Sequence, residues 1–198
     1  MKRRWSLLAA ALVLLPGAAS AQAGRRIRGT VTSLDGYRLH VDDAGRTVTV
    51  RLAPDYGVGA LVAAKPEEVA PGRYVGALAS RHANGVLTAR EVHIFPGNLR
   101  GAGAGQHPSD ADPGGVAVAG TVDQGALDAL GGTVTLAYPG GEVVLDVPPD
   151  VPVVRFVAGA RSMLAPGAHV VISAASAADG TLSADEVIVG VDGLVPPM

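Results

Sequence analysis

The stretch APGRYVGALASRHANGVLTAREVHI, residues 70–94, recurs 95 positions later as APGAHVVISAASAADGTLSADEVIV, residues 165–189. The alignment extends back without a gap, so that residues 48–94 and 143–189 share about 17 identities in 47 positions. The Ala-Pro-Gly turn and the closing Leu-x-Ala-x-Glu-Val fall in register, which chance similarity of Ala, Gly and Val does not produce. We therefore predict that the chain contains two copies of one structural unit.

Each copy has the pattern of a small β-unit. In the first copy, apolar residues alternate along three runs before a Pro-Glu-Glu segment, and two further runs flank Asn84-Gly85, a hairpin dipeptide. Asp179-Gly180 stands at the same place in the second copy. Three strands, a short helical link and two strands are the order of an OB-type barrel. We predict an all-β fold of two tandem five-stranded OB-like β-barrels with a short helix each. The alternative is one larger sandwich or barrel in which the copies share strands.

The segments outside the repeat predict an export signal and a linker. Residues 1–21 combine a basic start, an apolar run and a small-x-small cleavage pattern at Ala19-Ser20-Ala21, as a secretory signal peptide does. Residues 98–115 are rich in Gly and Pro and are predicted to link barrels over residues 25–97 and 116–190. We expect a periplasmic or secreted protein with no transmembrane span after signal removal, because no later apolar run is long enough.

Composition argues against several classes of function. The 198 residues include no Cys, which excludes disulfides, thiolate metal sites and Cys nucleophiles. Without residues 1–21 the chain carries 13 Lys and Arg against 18 Asp and Glu, a net charge of −5, so we expect no nucleic-acid partner. The common hydrolase motifs do not occur in the sequence. We predict that the protein is not an enzyme and uses no cofactor.

A divalent metal would need His and carboxylate ligands in a chain without Cys. The favoured candidates are His107 and Asp110 in the linker, with Asp112 nearby. Two pairs with the spacing of neighbours on one strand face are weaker candidates, because each lacks a third ligand. These pairs are His40 with Asp42, and Glu91 with His93. A solvated loop or strand has the same composition, so the residue types alone do not establish a site.

The repeated motifs resemble those of a known family. The Gly-Thr-Val opening of each copy (residues 29–31 and 120–122), the Ala-Pro-Gly turn and the closing Leu-x-Ala-x-Glu-Val are similar to those of small secreted bacterial β-modules. That family has no assigned function, and its modules often occur in tandem. The segment from Glu91 to Asp110 resembles a two-module subfamily of envelope proteins often labelled metal transport permeases, and this resemblance places a His at position 107. A permease needs several membrane helices, which the sequence lacks.

These observations lead to two hypotheses. The first is a non-catalytic exported envelope protein, built of two repeated β-modules, that binds an unidentified protein or surface partner. The alternative is a periplasmic accessory to transport that binds a metal or a small ligand.

Overall fold

The computed structural model describes residues 24–109, 112 and 114–197; the predicted signal peptide and Asp110 lie outside them. The described part of the chain is all-β, as predicted, and its helices are 3-10 turns of three residues each. Within these ranges no helix has the length and apolar character needed to cross a membrane. The strands are β1 (Arg25–Asp35), β2 (Arg38–Asp43), β3 (Arg46–Ala63), β4 (Tyr74–Arg81), β5 (Leu87–Ile94), β6 (Gly105–Pro108), β7 (Val116–Gly125), β8 (Gly132–Tyr138), β9 (Gly141–Val147), β10 (Val153–Ala158), β11 (His169–Ser176) and β12 (Leu182–Gly190).

The elements follow the 95-residue spacing of the sequence repeat. Strands β4 and β11 begin at Tyr74 and His169 and are eight residues long. The 3-10 turns Pro66–Glu68 and Arg161–Met163 have the same spacing, so each link predicted as a short helix is a single 3-10 turn. The long strand β3 corresponds to two strands, β9 and β10, because Pro148 and Pro149 interrupt the second copy.

Five strands close into a barrel, which we call the first ring, in the order β1-β2-β3-β12-β11. A second ring of paired strands has the order β4-β5-β9-β8-β7. It closes through a short parallel pairing, in which Leu87 faces Leu145 and Thr88 faces Asp146. Strand β10 joins the two rings, because it pairs antiparallel with β3 and parallel with β5.

The two rings do not follow the boundaries predicted from the sequence. Separate barrels over residues 25–97 and 116–190 would require β4 to return to β1, but β4 pairs with β7 of the other copy. Between the two rings runs β3, which continues for 18 residues. It pairs with β2 and β12 of the first ring as far as Leu61, and its last residues pair with β10, so the chain leaves this ring only at the end of the strand. Each ring therefore takes three strands from one copy and two from the other, so the copies share strands, as in the alternative architecture, but in two rings.

Each ring encloses its own apolar core, and both cores mix residues from the two copies. The first core includes Ile27, Leu39, Val50, Ile172 and Val187. The second core includes Val75, Leu87, Val92, Leu136 and Leu145. Burial of apolar side chains is the main favourable term in folding. Neither half of the chain can therefore complete a core without the other.

The segment predicted as a linker is partly a strand. Strand β6 pairs antiparallel with β7, with His107 opposite Ala117. The Tyr74 hydroxyl donates a hydrogen bond of 2.8 Å to the carbonyl oxygen of Ala102, and the Arg100 guanidinium donates to the carbonyl oxygen of Gly72. These contacts hold the Gly-rich segment against the outside of the second ring, where it forms one wall of a cleft.

Candidate ligand-binding cleft

The cleft lies on the outer face of β4, β5 and β7 and has a volume of about 320 Å³. Its floor is made of small or apolar residues of β4 and β7. Its polar groups come from three separate parts of the chain: β1, β5 and the segment around β6. The lining includes Arg26, Gly76, Leu78, Glu91, His93, Phe95, His107, Ser109, Ala117 and Ala119.

A β-bulge sets the direction of the two central side chains. In the β4–β5 pairing, Leu78 faces Glu91 and Ala79 faces Ala89, so Arg90 is the extra residue. Ala89 and Val92 both lie in the core of the second ring, although they are three residues apart. The extra residue shifts the alternation of inward and outward side chains by one position, so that both residues can lie on the core side. It leaves Glu91 and His93 together on the outer face, where both line the cleft.

Glu91 and His93 form the buried polar centre of the cleft. Their exposed fractions are 5% and 6%. Nε2 of His93 lies 3.6 Å from Oε1 of Glu91, and it makes no hydrogen bond to any residue that the structure describes. A buried polar atom without a hydrogen bond is costly, by about 1–3 kcal/mol. The pair is therefore an unusual feature for a sheet surface that serves only packing.

The protonation of the pair follows from burial. Loss of hydration, together with the positive charge of Arg26, lowers the pKa of His93 to about 4, so the imidazole is neutral at pH 7. Burial also raises the pKa of the Glu91 carboxyl, while the positive charges of Arg28 and Arg26 lower it and offset part of this effect. The two arginines belong to β1 of the first ring, so the electrostatics of the cleft depend on the contact between rings.

Aromatic side chains form the wall next to the pair. The rings of Phe95 and Phe156 stack with centroids 5.2 Å apart and planes within 10° of each other. The imidazole of His93 meets Phe156 edge-on at 5.9 Å. Phe95 lies above Gly76, where a Cβ atom would approach Cε2 of that ring to 2.7 Å. The missing side chain at Gly76 thus makes room for the aromatic wall.

Of the linker residues predicted to bind metal, His107 and Asp112 lie within the described residues, and each contacts a different group. Nε2 of His107 lies 3.2 Å from the carbonyl oxygen of Ala104, at the margin of the cleft. Asp112 is bound to the Arg90 guanidinium at 2.5 Å. Asp110 lies outside the described residues, so its role as a ligand stays a prediction.

The pair of His40 and Asp42 shares one outward face but binds other groups. Nδ1 of His40 is 2.9 Å from the Thr49 hydroxyl, and Nε2 is 3.5 Å from Asp35. Asp42 accepts a hydrogen bond of 2.7 Å from the backbone N–H of Gly45. Over residues 24–109, 112 and 114–197, no group of three or more His, Asp or Glu side chains is arranged to hold a metal ion.

The sequence identified the Glu91–His93 spacing but not the burial of the pair. No local pattern indicates that Arg26 and Phe156 lie near the pair. They lie near the pair because the two copies share strands, and β10 pairs with both β3 and β5. The sequence pattern also does not indicate the bulge at Arg90. A strand with regular two-residue alternation gives no sign that this face is covered.

Comparison with known proteins gives a family match over part of the chain. Residues 28–93 match the family described as Domain of unknown function (DUF5666). This segment runs from within β1 to within β5, so its strands are divided between the two rings. The match confirms the expected likeness to a module family without an assigned function. No curated protein and no solved structure matches the chain.

Proposed function

We propose that the protein is a non-catalytic binding protein that takes up a small organic ligand in the cleft over Glu91 and His93. This is the small-ligand form of the alternative hypothesis from the sequence, and the exported location predicted from residues 1–21 is part of the proposal. The observation that carries it is the buried Nε2 atom of His93, which has no hydrogen-bond partner in the described structure. A ligand with a polar group would supply that partner once the side chains that cover Nε2 move aside.

The shape and composition of the cleft support a small molecule. Ligand pockets are typically concave, about 300–1,000 Å³ in volume, mostly apolar, and equipped with a few polar groups that fix orientation. The cleft has this composition: Phe95, Leu78 and alanines surround the Glu91–His93 pair. A protein partner, which the sequence favoured, would be expected to use a larger and flatter surface.

A thermal-shift screen of small organic compounds on the purified protein tests the proposal. The matched variants are Ala117→Leu, which fills the cleft, and Ala178→Leu, which adds the same side chain at an exposed turn. We expect some compounds to raise the melting temperature of the wild type and of Ala178→Leu but not of Ala117→Leu, because only native-state binding stabilises. A screen without such compounds, or equal shifts in both variants, would contradict the proposal.

A further inference from the structure

Two arginines lie directly opposite each other on the outer face of the first ring. Arg38 of β2 and Arg51 of β3 are partners in the antiparallel ladder, and both are exposed. Like charges at directly opposed positions of a sheet destabilise it. Neither guanidinium forms an ion pair or a side-chain hydrogen bond with any residue of the described ranges. The two positive charges are therefore not neutralised by a contact ion pair in this part of the protein.

The nearest acidic side chains are bound to other groups. Asp35, which faces Arg38 across the hairpin, accepts a hydrogen bond from the Ser33 hydroxyl at 3.1 Å and lies 3.5 Å from His40. Asp179 accepts a hydrogen bond from the backbone N–H of Thr181 at 2.9 Å, and this bond is the largest cause of its lowered pKa, to which the positive charge of Arg51 also contributes. Both carboxylates thus bind local groups and attract the arginines only through space, without an ion pair or hydrogen bond to either guanidinium.

The arginine pair separates two surface concavities. One concavity, of about 440 Å³, includes the Asp179–Gly180 turn of the second copy. The other, of about 480 Å³, includes Tyr37 and Pro54, and the side chain of Tyr37 is 48% exposed. Arg38 and Arg51 line both concavities, so their guanidinium groups are available to a ligand from either side.

The corresponding position of the second ring lacks this pair. Adding the repeat spacing of 95 to Arg51 gives Asp146, which faces Thr133 in the β8–β9 ladder. The backbone pairing is the same in both rings, but only the first ring places two cations there. The pair is therefore not required by the strand arrangement.

We infer that Arg38 and Arg51 together bind a doubly charged tetrahedral oxyanion, in particular a phosphate monoester. Guanidinium groups donate paired hydrogen bonds that match phosphate oxygens, and a phosphate monoester carries close to two negative charges at pH 7. One such anion would neutralise both arginines and remove their repulsion. The half-exposed ring of Tyr37, together with Pro54, offers an apolar surface for the organic group of the ester.

The test compares melting temperatures in sodium phosphate and in sodium chloride of equal ionic strength at pH 7.5. The variants are Arg38→Gln and Arg51→Gln. The matched control is Arg46→Gln, which removes the same charge from an exposed position of the same strand pair. At about ten times Kd, we expect phosphate to raise the melting temperature of the wild type and of Arg46→Gln by about 3–6 °C. Arg38→Gln and Arg51→Gln should each lose this rise in melting temperature.

A second set of probes distinguishes the sources of the phosphate group. Phenyl phosphate represents a free ester, and phosphatidylcholine vesicles containing phosphatidic acid represent a lipid headgroup. Binding of either probe that is lost in Arg38→Gln and Arg51→Gln but kept in Arg46→Gln supports the inference. Failure of phosphate to stabilise the wild type would overturn it. An equal phosphate effect in all three variants would do the same, because it would show a general response to anions.

Discussion

Leu61 of β3 and Phe156 of β10 lie directly opposite each other in an antiparallel ladder, and they are separated by the repeat spacing of 95 residues. Equivalent positions of the two copies therefore meet at this point. Pairing of equivalent positions is the property of a two-fold, isologous interface between identical subunits. The chain builds the arrangement of an exchanged dimer within one polypeptide.

The other exchanged pairings follow the same rule. Val50 faces Leu182 in the first ring, and their equivalents in the other copies, Leu145 and Leu87, face each other in the second ring. Each ring takes its last two strands from the opposite copy. The cleft at Glu91 and His93 lies beside this junction, since β10 pairs with β5 and places Val154 opposite His93.

Cleavage of the connecting segment should not separate the halves of the protein. A protease recognition sequence inserted between Gly101 and Ala102, which are exposed, would divide the chain between β5 and β6. Because each ring contains strands from both fragments, we expect the cleaved fragments to elute together on gel filtration and to separate only in denaturant. Separation under native conditions would support two independent barrels instead.

Shortening a buried side chain where β3 pairs with β10 should destabilise the whole protein as one unit. Leu61 is fully buried, so Leu61→Ala should lower the free energy of unfolding by about 3 kcal/mol and the melting temperature by about 6–12 °C. Differential scanning calorimetry should show a single transition that moves as a whole. Leu130→Ala, at a side chain that is 83% exposed, is the control and should change stability little. Two transitions, of which only one shifts, would argue against shared strands.

The glycine of the Gly-Thr-Val motif should not tolerate a side chain. A Cβ atom at Gly29 would lie 2.0 Å from the carbonyl oxygen of Asp42 on the neighbouring strand. We expect Gly29→Ala to lower the free energy of unfolding by about 1–3 kcal/mol or more, measured by urea denaturation. Gly97→Ala is the matched control, because no atom lies within 4 Å of the added Cβ. Equal stability of the two variants would show that the close approach at Gly29 has no energetic effect.

The buried imidazole of His93 should make stability fall at acid pH. Its native pKa is about 4 against an ordinary value of 6.5, so below pH 6.5 the unfolded chain binds a proton that the native protein does not. The free energy of unfolding should fall by up to about 3 kcal/mol between pH 6.5 and pH 4. Glu91 acts in the opposite direction, because its raised pKa favours proton uptake by the native state.

Paired variants isolate the contribution of His93. We compare urea denaturation of Glu91→Gln with that of Glu91→Gln/His93→Gln, so that the carboxyl does not titrate in either protein. The fall in stability should be larger in the protein that retains His93. His82→Gln in the Glu91→Gln background is the control, because His82 is exposed and its loss should leave the fall unchanged. Parallel pH profiles for the first pair would contradict the buried state of His93.

Local patterns in the sequence were sufficient to predict the all-β strand content. Alternating apolar residues, the Asn84-Gly85 and Asp179-Gly180 turns and the position of Pro66 depend on backbone and side-chain preferences that act over a few residues. The i, i+2 spacing of Glu91 and His93 is local in the same sense. These features therefore follow from the amino-acid sequence alone.

Partner choice between strands depended on the tertiary structure. The two copies offer nearly equivalent strands, so β4 and β5 have matching places in either ring, and local preferences do not distinguish them. The structure places them in the second ring, where β4 pairs with β7 and β5 pairs with β9. The same exchange brings Arg26 and Phe156 to His93 and buries it. Burial arises from contacts between residues far apart in sequence, and no local pattern encodes it.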